Sequence, residues 1–562
     1  MALTQSPVAA SASDHDADQE SLPTEKALST EGSNEAKSKE PAKFIEGVPL
    51  ILLILGLILS VFCLGLDRTI LATAIPKITS EFDSLEDVAW YGSSYLLTTC
   101  CFQLMYGKLY VEFHITWVFM AALGMFELGS IICGAAPNSI ALIIGRAIAG
   151  IGCAGILSGT FIIIAQALPL HKRPIYTGII GGMSGIAQVI APALGGAFTD
   201  HIGWRWCFWI NLPLGAVTAI VVFFFVQLPR KPKTAKSQGI GALVASLDLW
   251  GTAAFIPWMI CLLLALEWGG TTYAWSNWRM IVCLTLFVVL FLTWLFIQYS
   301  RGDAATLPLR IARQRSVASG MIFSLGIGGS LFLVVYYVSI WFQAVKNDSA
   351  QKSGINFFTS SASMSVASVI SGSLVTKIGY YVPQMFFSTI LVSIASGLIY
   401  TFDLDTSTTY WAGTLVMFGF GAGIGMQMPI SAVQTVLASG DISLGTSVLV
   451  LAQTLSGAIF LAVGQNLFGT KLVEELTKRA PDVNPAIIIA NGVSGLNDAI
   501  TEQYGAETAT SVLQAYNEAL RQCFLVCVIL SCLTIVGGLG MEWKSVRTGN
   551  EKEKKESPNA NS

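Results

Sequence analysis

Charge is scarce in this chain. Only 12% of its 562 residues are Asp, Glu, Lys or Arg, against about 25% in a soluble protein. The formal net charge is −3, and no block of basic residues is present, which excludes a nucleic-acid partner bound by phosphate neutralisation. Histidine is rarer still. His15, His114, His171 and His201 all fall in tails or loops, so a histidine proton relay inside a membrane is excluded. The phosphate-cradling pattern that ends in Gly-Lys-Ser/Thr is missing, and ATP is therefore excluded as a direct driver. The eleven cysteines lie in or beside apolar runs. They have neither zinc-ligand spacing nor the arrangement of a secreted disulfide framework, and read as small apolar packers. No nucleophile or metal constellation points to an enzyme, and no cofactor is expected.

Apolar residues are abundant, at 53% of the chain. They fall into runs of about 20 residues, the length that crosses a hydrocarbon core as a helix. Fourteen such runs are predicted, near 48–74, 87–106, 115–136, 139–164, 175–199, 204–228, 243–267, 276–299, 317–343, 354–376, 381–402, 409–432, 444–468 and 521–541. The expected fold is all-α and membrane-spanning. Residues 1–46 precede the spans, rich in Ser, Ala, Glu and Asp and without apolar periodicity, and read as a disordered tail. The first apolar run starts near Val48, too late for a signal peptide, so the first span is expected to direct insertion. Residues 543–562 form a second polar tail.

Loop charges set the orientation. With the N-terminus inside, the even loops carry Lys108, Lys172, Arg173, Arg230, Lys231, Lys233, Lys236, Arg301, Arg310, Arg313, Arg315 and Lys377. The short odd loops and their flanks carry only Lys77, Arg205, Arg279, Lys346 and Lys352. Positive residues favour the cytoplasmic side, so both tails are expected there. Asn347-Asp348-Ser349 is a glycosylation sequon in an outside loop. Residues 470–520 are expected to form a large outside loop. Its helical stretches LVEELTKR and SVLQAYNEALRQ are interrupted by Pro481 and Pro485 and read as a folded cap.

An internal repeat organises the spans. Gly107-Lys108-Leu109 follows the second span. Gly372-Ser373-Leu374, with Lys377 and Gly379, follows the tenth. Six spans with short loops need about 200 residues, and the repeat offset exceeds this by room for two more helices. The plan is six, two and six: a first bundle at 47–229, two linking helices at 240–300 and a second bundle at 316–541. Parallel six-helix halves around a midplane site are one transporter design.

The ionisable residues inside the spans carry the functional signal. Arg146 sits in the apolar run LIIGRAIAGIGCAG. A bare cation at the bilayer centre costs roughly 3 kcal/mol or more, so it must face a partner or a wet cavity. In the next span Ala187, Ala191 and Gly195 recur at four-residue spacing, with Gly196 beside them, a face that lets helices approach closely in lipid. Pro192 lies within it and removes a backbone donor. A buried charge followed by a bent, small-faced helix points to a moving transporter. Asp67 and Arg68 are adjacent and therefore point about 100° apart on a helix. The residues alone leave two readings of Asp67, a proton carrier or an interfacial partner of arginine. Glu127 is likewise either a coupling acid or a packing carboxyl. Asp248 and Glu267 belong to the two linking helices and are expected near the membrane surfaces.

The stretches LDRTILATAIPKI at 66–78, WYGSSYLLT at 90–98, FELGSIICGAAPNS at 126–139, the Arg146 helix, APALGG at 191–196 and WRWCFWINLP at 204–213 resemble the major facilitator superfamily. Within it the chain is most similar to the fungal fourteen-spanner drug:proton antiporters, which include efflux pumps for toxins and secondary metabolites. The resemblance covers about residues 45–545. It implies antiport through the fifth-helix pattern, where this chain has Ala191-Pro192 in place of the usual Gly-Pro. It also implies that Asp67 stands in the transport path. It expects an acid in the loop after span 2, but Val111 stands there, and Thr376 in the second copy, so the charge latch of relatives lacks its acid here.

The expected function is proton-coupled efflux of a hydrophobic or amphipathic small molecule, with Asp67, Arg146 and Glu127 in proton coupling. Uptake of a metal chelate such as a siderophore is the alternative, and a transport-dead sensor the third. Substrate contacts are harder to assign. Gln103, Gln188, Asn211, Gln427, Gln453, Gln465 and the aromatic Tyr337 are polar or amphipathic groups within spans. Gln103, Gln188, Tyr337, Gln427 and Gln453 are taken as candidates for orienting a greasy ligand. The expected partners are the substrate, protons and lipid. A monomer in the cell membrane, or in the vacuolar membrane, is expected.

Overall fold

A computed structural model describes residues 44–84, 87–225, 247–270, 273–481, 483 and 505–547. The predicted tail at 1–43 and the stretch 548–562 lie outside the described residues. So does 484–504, within the expected outside loop.

The described residues form fourteen long helices. These are α1 (Val48–Phe82), α2 (Val88–Glu112), α3 (Ile115–Gly134), α4 (Ser139–Ala167), α5 (Arg173–His201), α6 (Asn211–Phe225, preceded by a turn at Trp206–Trp209), α7 (Leu249–Trp268), α8 (Trp278–Arg301), α9 (Arg315–Ala344), α10 (Ala350–Ile378), α11 (Val382–Tyr400), α12 (Thr408–Gly425, continued by Met428–Val436), α13 (Ile442–Arg479) and α14 (Ala506–Gly540). Thirteen are long and apolar enough to cross a membrane. The fourteenth, α2, has the length but carries more polar residues, and it is packed among α4, α13 and α7.

Small residues decide which helices meet. A Cβ on Gly152 of α4 would collide with the backbone of Phe126 on α3, and one on Gly150 would meet the carbonyl of Tyr95 on α2. Glycine thus brings α2, α3 and α4 to backbone contact and sets Arg146 among them. The linking helix α8 is mostly exposed, its apolar residues facing outward as a lipid-facing helix requires. Phe255 and Trp258 of α7 pack with Trp294 of α8.

Asp248 caps α7 from a left-handed backbone position, φ 46°. It is fully buried and accepts hydrogen bonds from Gly251 N at 3.0 Å, Gln298 Nε2 at 3.2 Å and both Thr306 N and Oγ1 at 2.8 Å. One carboxylate thus ties the two linking helices to the segment that leads into α9.

Several expectations are corrected. The large 470–520 loop is much shorter, because α13 runs to Arg479 and α14 starts at Ala506. LVEELTKR continues α13, supported outside the apolar span by the Glu474–Lys478 and Glu475–Arg479 pairs at 2.7 and 2.9 Å. Leu472 and Leu476 of that extension and Val512 and Tyr516 of α14 are buried in one cluster with Tyr337. Gly107-Lys108-Leu109 lies inside α2, and Gly372 to Lys377 inside α10, not in loops. The second linking helix extends one residue past the expected boundary, to Arg301. The second tail does not begin free at 543. Val546 is buried and donates its N–H to the Gly379 carbonyl at 2.9 Å, and Glu542 accepts from Gln314 and Ser316 at 2.8 Å.

Candidate functional site

Asp67 of α1 and Arg146 of α4 are both fully buried and form an ion pair, Arg146 Nη1 to Asp67 Oδ2, at 2.6 Å. Arg146 Nε donates to the Tyr91 carbonyl at 3.0 Å, and its guanidinium lies 4.3 Å from the centre of the Tyr95 ring. The cation is satisfied by a carboxylate, a carbonyl and a π-face drawn from α1 and α2. Asn211, at the start of α6, donates to Asp67 Oδ1 at 3.3 Å and to Ser130 Oγ of α3 at 3.2 Å. Five helices therefore meet on one buried pair.

Glu127 lies one turn of α3 from Ser130. Its two carboxylate oxygens are buried and have no hydrogen-bond partner among the described residues. They rest against Gly215 of α6, where a side chain would collide with them. A buried carboxyl group without hydrogen bonds is costly in its ionised form.

Arg68 turns away from this cluster. It lines a cavity of about 210 Å³ together with Gly65 and Thr69 of α1, Leu157 and Phe161 of α4, Gln188 of α5, and Leu331, Phe332, Gln427, Gln453 and Thr454 of the last six helices. The cavity is walled by α1, α4 and α5 on one side and by α9, the α12 continuation and α13 on the other. Its walls are mainly apolar, with a few polar groups that can orient a ligand.

The two sets of six helices are also joined at the ends of α4 and α5 that flank the 168–172 loop. Gly178, Gly182 and Gly185 of α5 lie against Ser365 and Ser368 of α10, and a Cβ on Gly178 would strike the backbone carbonyl of Ser368. The Ser368 hydroxyl donates to the Gly178 carbonyl at 2.9 Å. Ser447 Oγ of α13 bonds Ser158 Oγ of α4 at 3.2 Å, and Gln434 Nε2 donates to the Phe161 carbonyl at 3.1 Å. The buried Lys108 gives its ammonium to the carbonyls of Ala304 and Ala305 at 3.2 and 3.3 Å. At the opposite end of α1, Glu81 receives Trp204 Nε1 at 2.7 Å and Arg205 Nη2 at 2.8 Å. The Arg205 bonds, then that of Trp204, hold this carboxyl below its ordinary pKa.

Comparison with known proteins gives these features a family. Residues 57–275 match the description Major Facilitator Superfamily. The chain is 49% identical over 523 residues to the MFS-type efflux pump MFS1 of Trichophyton rubrum, covering 92% of this chain and 97% of that one. It belongs to the major facilitator superfamily. It is also 46% identical to the efflux pump aflT of Aspergillus parasiticus over 91% of this chain and 99% of the relative, and 46% identical to the efflux pump roqT of Penicillium rubens over 89% and 91%. Among solved structures, a proton:xylose symporter, XylE, shares the fold with a TM-score of 0.56 at 11% identity, covering 89% of this chain and 98% of that one. The protein is thus a multi-pass membrane transporter of the superfamily, with helices arranged as six, two and six.

The structure distributes the residues singled out from sequence over several places. Asp67 and Arg146 meet each other, and Glu127 stands near them on α3. Gln188, Gln427 and Gln453 line the cavity, but two other substrate candidates do not. Gln103 is buried on α2 and bonds Ser158 Oγ, while Tyr337 packs beside Phe468 with its ring centre 6.1 Å away. On α5, Ala187 lies against Gly65 of α1, Ala191 is fully buried, and Gly195 lies against Ile70 and Thr73 of α1. Pro192 is inside a continuous helix, and Gly196 has open space beside it. Asn347 is exposed, with φ 52°. Sequence reasoning passed over Asn211 as a partner of Asp67, Ser130 as the partner of Asn211, and Arg68 as the cavity's cation. The 100° separation of Asp67 and Arg68 was the available signal for the last.

Proposed function

We propose that the protein is a proton-coupled exporter of a hydrophobic or amphipathic small molecule, working by alternating access between α1–α6 and α9–α14. One observation carries this reading. On α1, Asp67 faces Arg146 while its neighbour Arg68 faces the cavity, so one helix joins a protonatable ion pair to the ligand space. A proton arriving at Asp67 turns the carboxylate into a neutral acid and removes the attraction that holds Arg146. Breaking a buried pair costs about 3–5 kcal/mol because one charge is left unpaired. The junction of α1, α4 and α6 then favours another arrangement, and the Gly65, Arg68 and Thr69 wall moves with α1. Glu127 supplies a second proton position on the same junction.

The names of the relatives support the outward direction. The contacts of α5 with α10 and of α4 with α13 are read as the closed inner gate, because the loop charges favour a cytoplasmic 168–172 loop and cytoplasmic termini. The proposed working unit is a monomer. The apolar walls suit a greasy ligand in the cell membrane, and Asn347 stands where an outside glycan has room. The proton gradient is the energy source, and the protein acts as a transporter, not as an enzyme.

The test is transport in sealed vesicles containing the purified protein. An imposed proton gradient should drive the neutral probe pyrenebutyramide opposite to the protons, and a protonophore should abolish the movement at constant ATP. Movement of substrate in the same direction as the protons would overturn export and favour chelate uptake.

A further inference from the structure

We infer that the central cavity selects ligands carrying an acidic oxygen, a carboxylate or an enolate of comparable acidity, which Arg68 receives. This rests on the exporter reading of the same cavity.

Arg68 is the only charged side chain among the residues lining the cavity. It makes no ion pair with any described residue. Asp67, the carboxylate nearest in sequence, is committed to Arg146 at 2.6 Å and to Asn211 at 3.3 Å. Among the described residues the one hydrogen bond of the Arg68 guanidinium is a weak 4.0 Å approach of Nη2 to Cys153 Sγ. Its Nε is buried and has no hydrogen-bond partner among the described residues. A guanidinium carries five N–H donors in a rigid fork, cannot lose its charge, and matches a planar pair of acidic oxygens. Arg68 is partly buried, and an acidic oxygen entering the cavity would meet a cation that no carboxylate of the lining neutralises.

The remaining polar groups fit such a ligand. Gln188, Gln427, Gln453, Thr69 and Thr454 surround the space without adding charge, and no carboxylate in the lining would repel an anion. Gln427 Oε1 is buried without a hydrogen-bond partner among the described residues, so a ligand hydroxyl near the acidic group has an acceptor. Leu157, Phe161, Leu331 and Phe332 give the apolar body a wall. The 210 Å³ of space is below the 300–1,000 Å³ that drug-sized ligands usually occupy. The acidic group therefore docks first at Arg68, and the apolar body is accommodated as the halves part.

The experiment uses the purified full chain and two probes of nearly equal shape, pyrenebutyrate and pyrenebutyramide, with binding read by fluorescence anisotropy. Wild-type protein should bind the acid at least about tenfold more tightly than the amide, the range of a charge-assisted hydrogen bond. Arg68→Gln should erase that preference mainly by weakening the acid, while leaving the amide within about twofold. Arg68→Lys should keep part of it. Equal binding of acid and amide by the wild type overturns the inference without reliance on any variant, and so does a preference that survives Arg68→Gln. Export of the neutral pyrenebutyramide in the vesicle assay, measured alongside, keeps the two readings apart. If that export persists while the wild type shows no acid preference, only the ligand class is wrong; if neither is seen, both fall.

Discussion

At the scale of single residues, Asp67 and Arg146 are one unit. Asp67→Asn keeps the volume and the bond to Asn211 but can no longer exchange a proton. The variant should reach the membrane in near-normal amount and lose proton-driven efflux, to below about a tenth of wild type. Full resistance of cells carrying it to an exported drug would remove Asp67 from the mechanism. Arg146→Ala leaves Asp67 buried without its cation, a loss of about 3–5 kcal/mol, and should abolish transport and lower thermal stability. Arg146→Lys can still reach Asp67 Oδ2 but loses the Nε bond to Tyr91 and the flat stacking on Tyr95. It should retain a small fraction of activity, measured as drug accumulation at equal surface expression. Equal activity of the Lys and Ala variants would mean that charge at this position does not matter.

At the scale of elements, the seam between α5 and α10 is the sharpest target. The atom that a Cβ on Gly178 would strike is a backbone carbonyl, at Ser368, which cannot rotate aside. Gly178→Val should therefore block close approach of the two helices and stop transport, while each set of six helices still packs within itself. The expected result is normal membrane abundance and a monodisperse detergent-solubilised protein with little efflux; full efflux would show that this contact is dispensable.

Sequence patterning revealed the helices well where the bilayer dictates composition. It failed where helices leave it, because α13 and α14 continue into water on charge pairs and on a local apolar cluster that no hydropathy run announces. The serine content of α10 is explained by the neighbours it serves on two sides, α5 and α12. The candidate site was legible as residue types, since Asp67 and Arg146 are conspicuous in apolar runs. Their surroundings were not. Asn211 and Ser130 are ordinary polar residues whose role depends on which helices meet, and the choice of Gln188, Gln427 and Gln453 over Gln103 depends on helix rotation, which spacing alone does not fix.

At the scale of the whole molecule, the orientation is open to direct measurement. Protease added outside sealed right-side-out vesicles should spare sites in 1–43 and reach the stretch between α13 and α14. Cleavage in 1–43 from outside would invert the topology and, with it, the assignment of the closed gate to the cytoplasm.

The glycine–serine seam has a thermodynamic consequence. When α5 and α10 separate, the groups released there include the Ser365 and Ser368 hydroxyls and peptide carbonyls, which take water in exchange for one another, beside glycine methylenes and Val369. Less apolar surface is newly wetted along that line than along a seam of large aliphatic side chains. Heat capacity changes follow wetted apolar area, with polar area contributing in the opposite sense. In the proposed cycle, opening this gate therefore adds less heat capacity, and the balance of open and closed forms bends less with temperature. A leucine seam would hold the same halves more firmly on warming and release them in the cold. The small polar one lets the proton, and not the temperature of the surroundings, set the population.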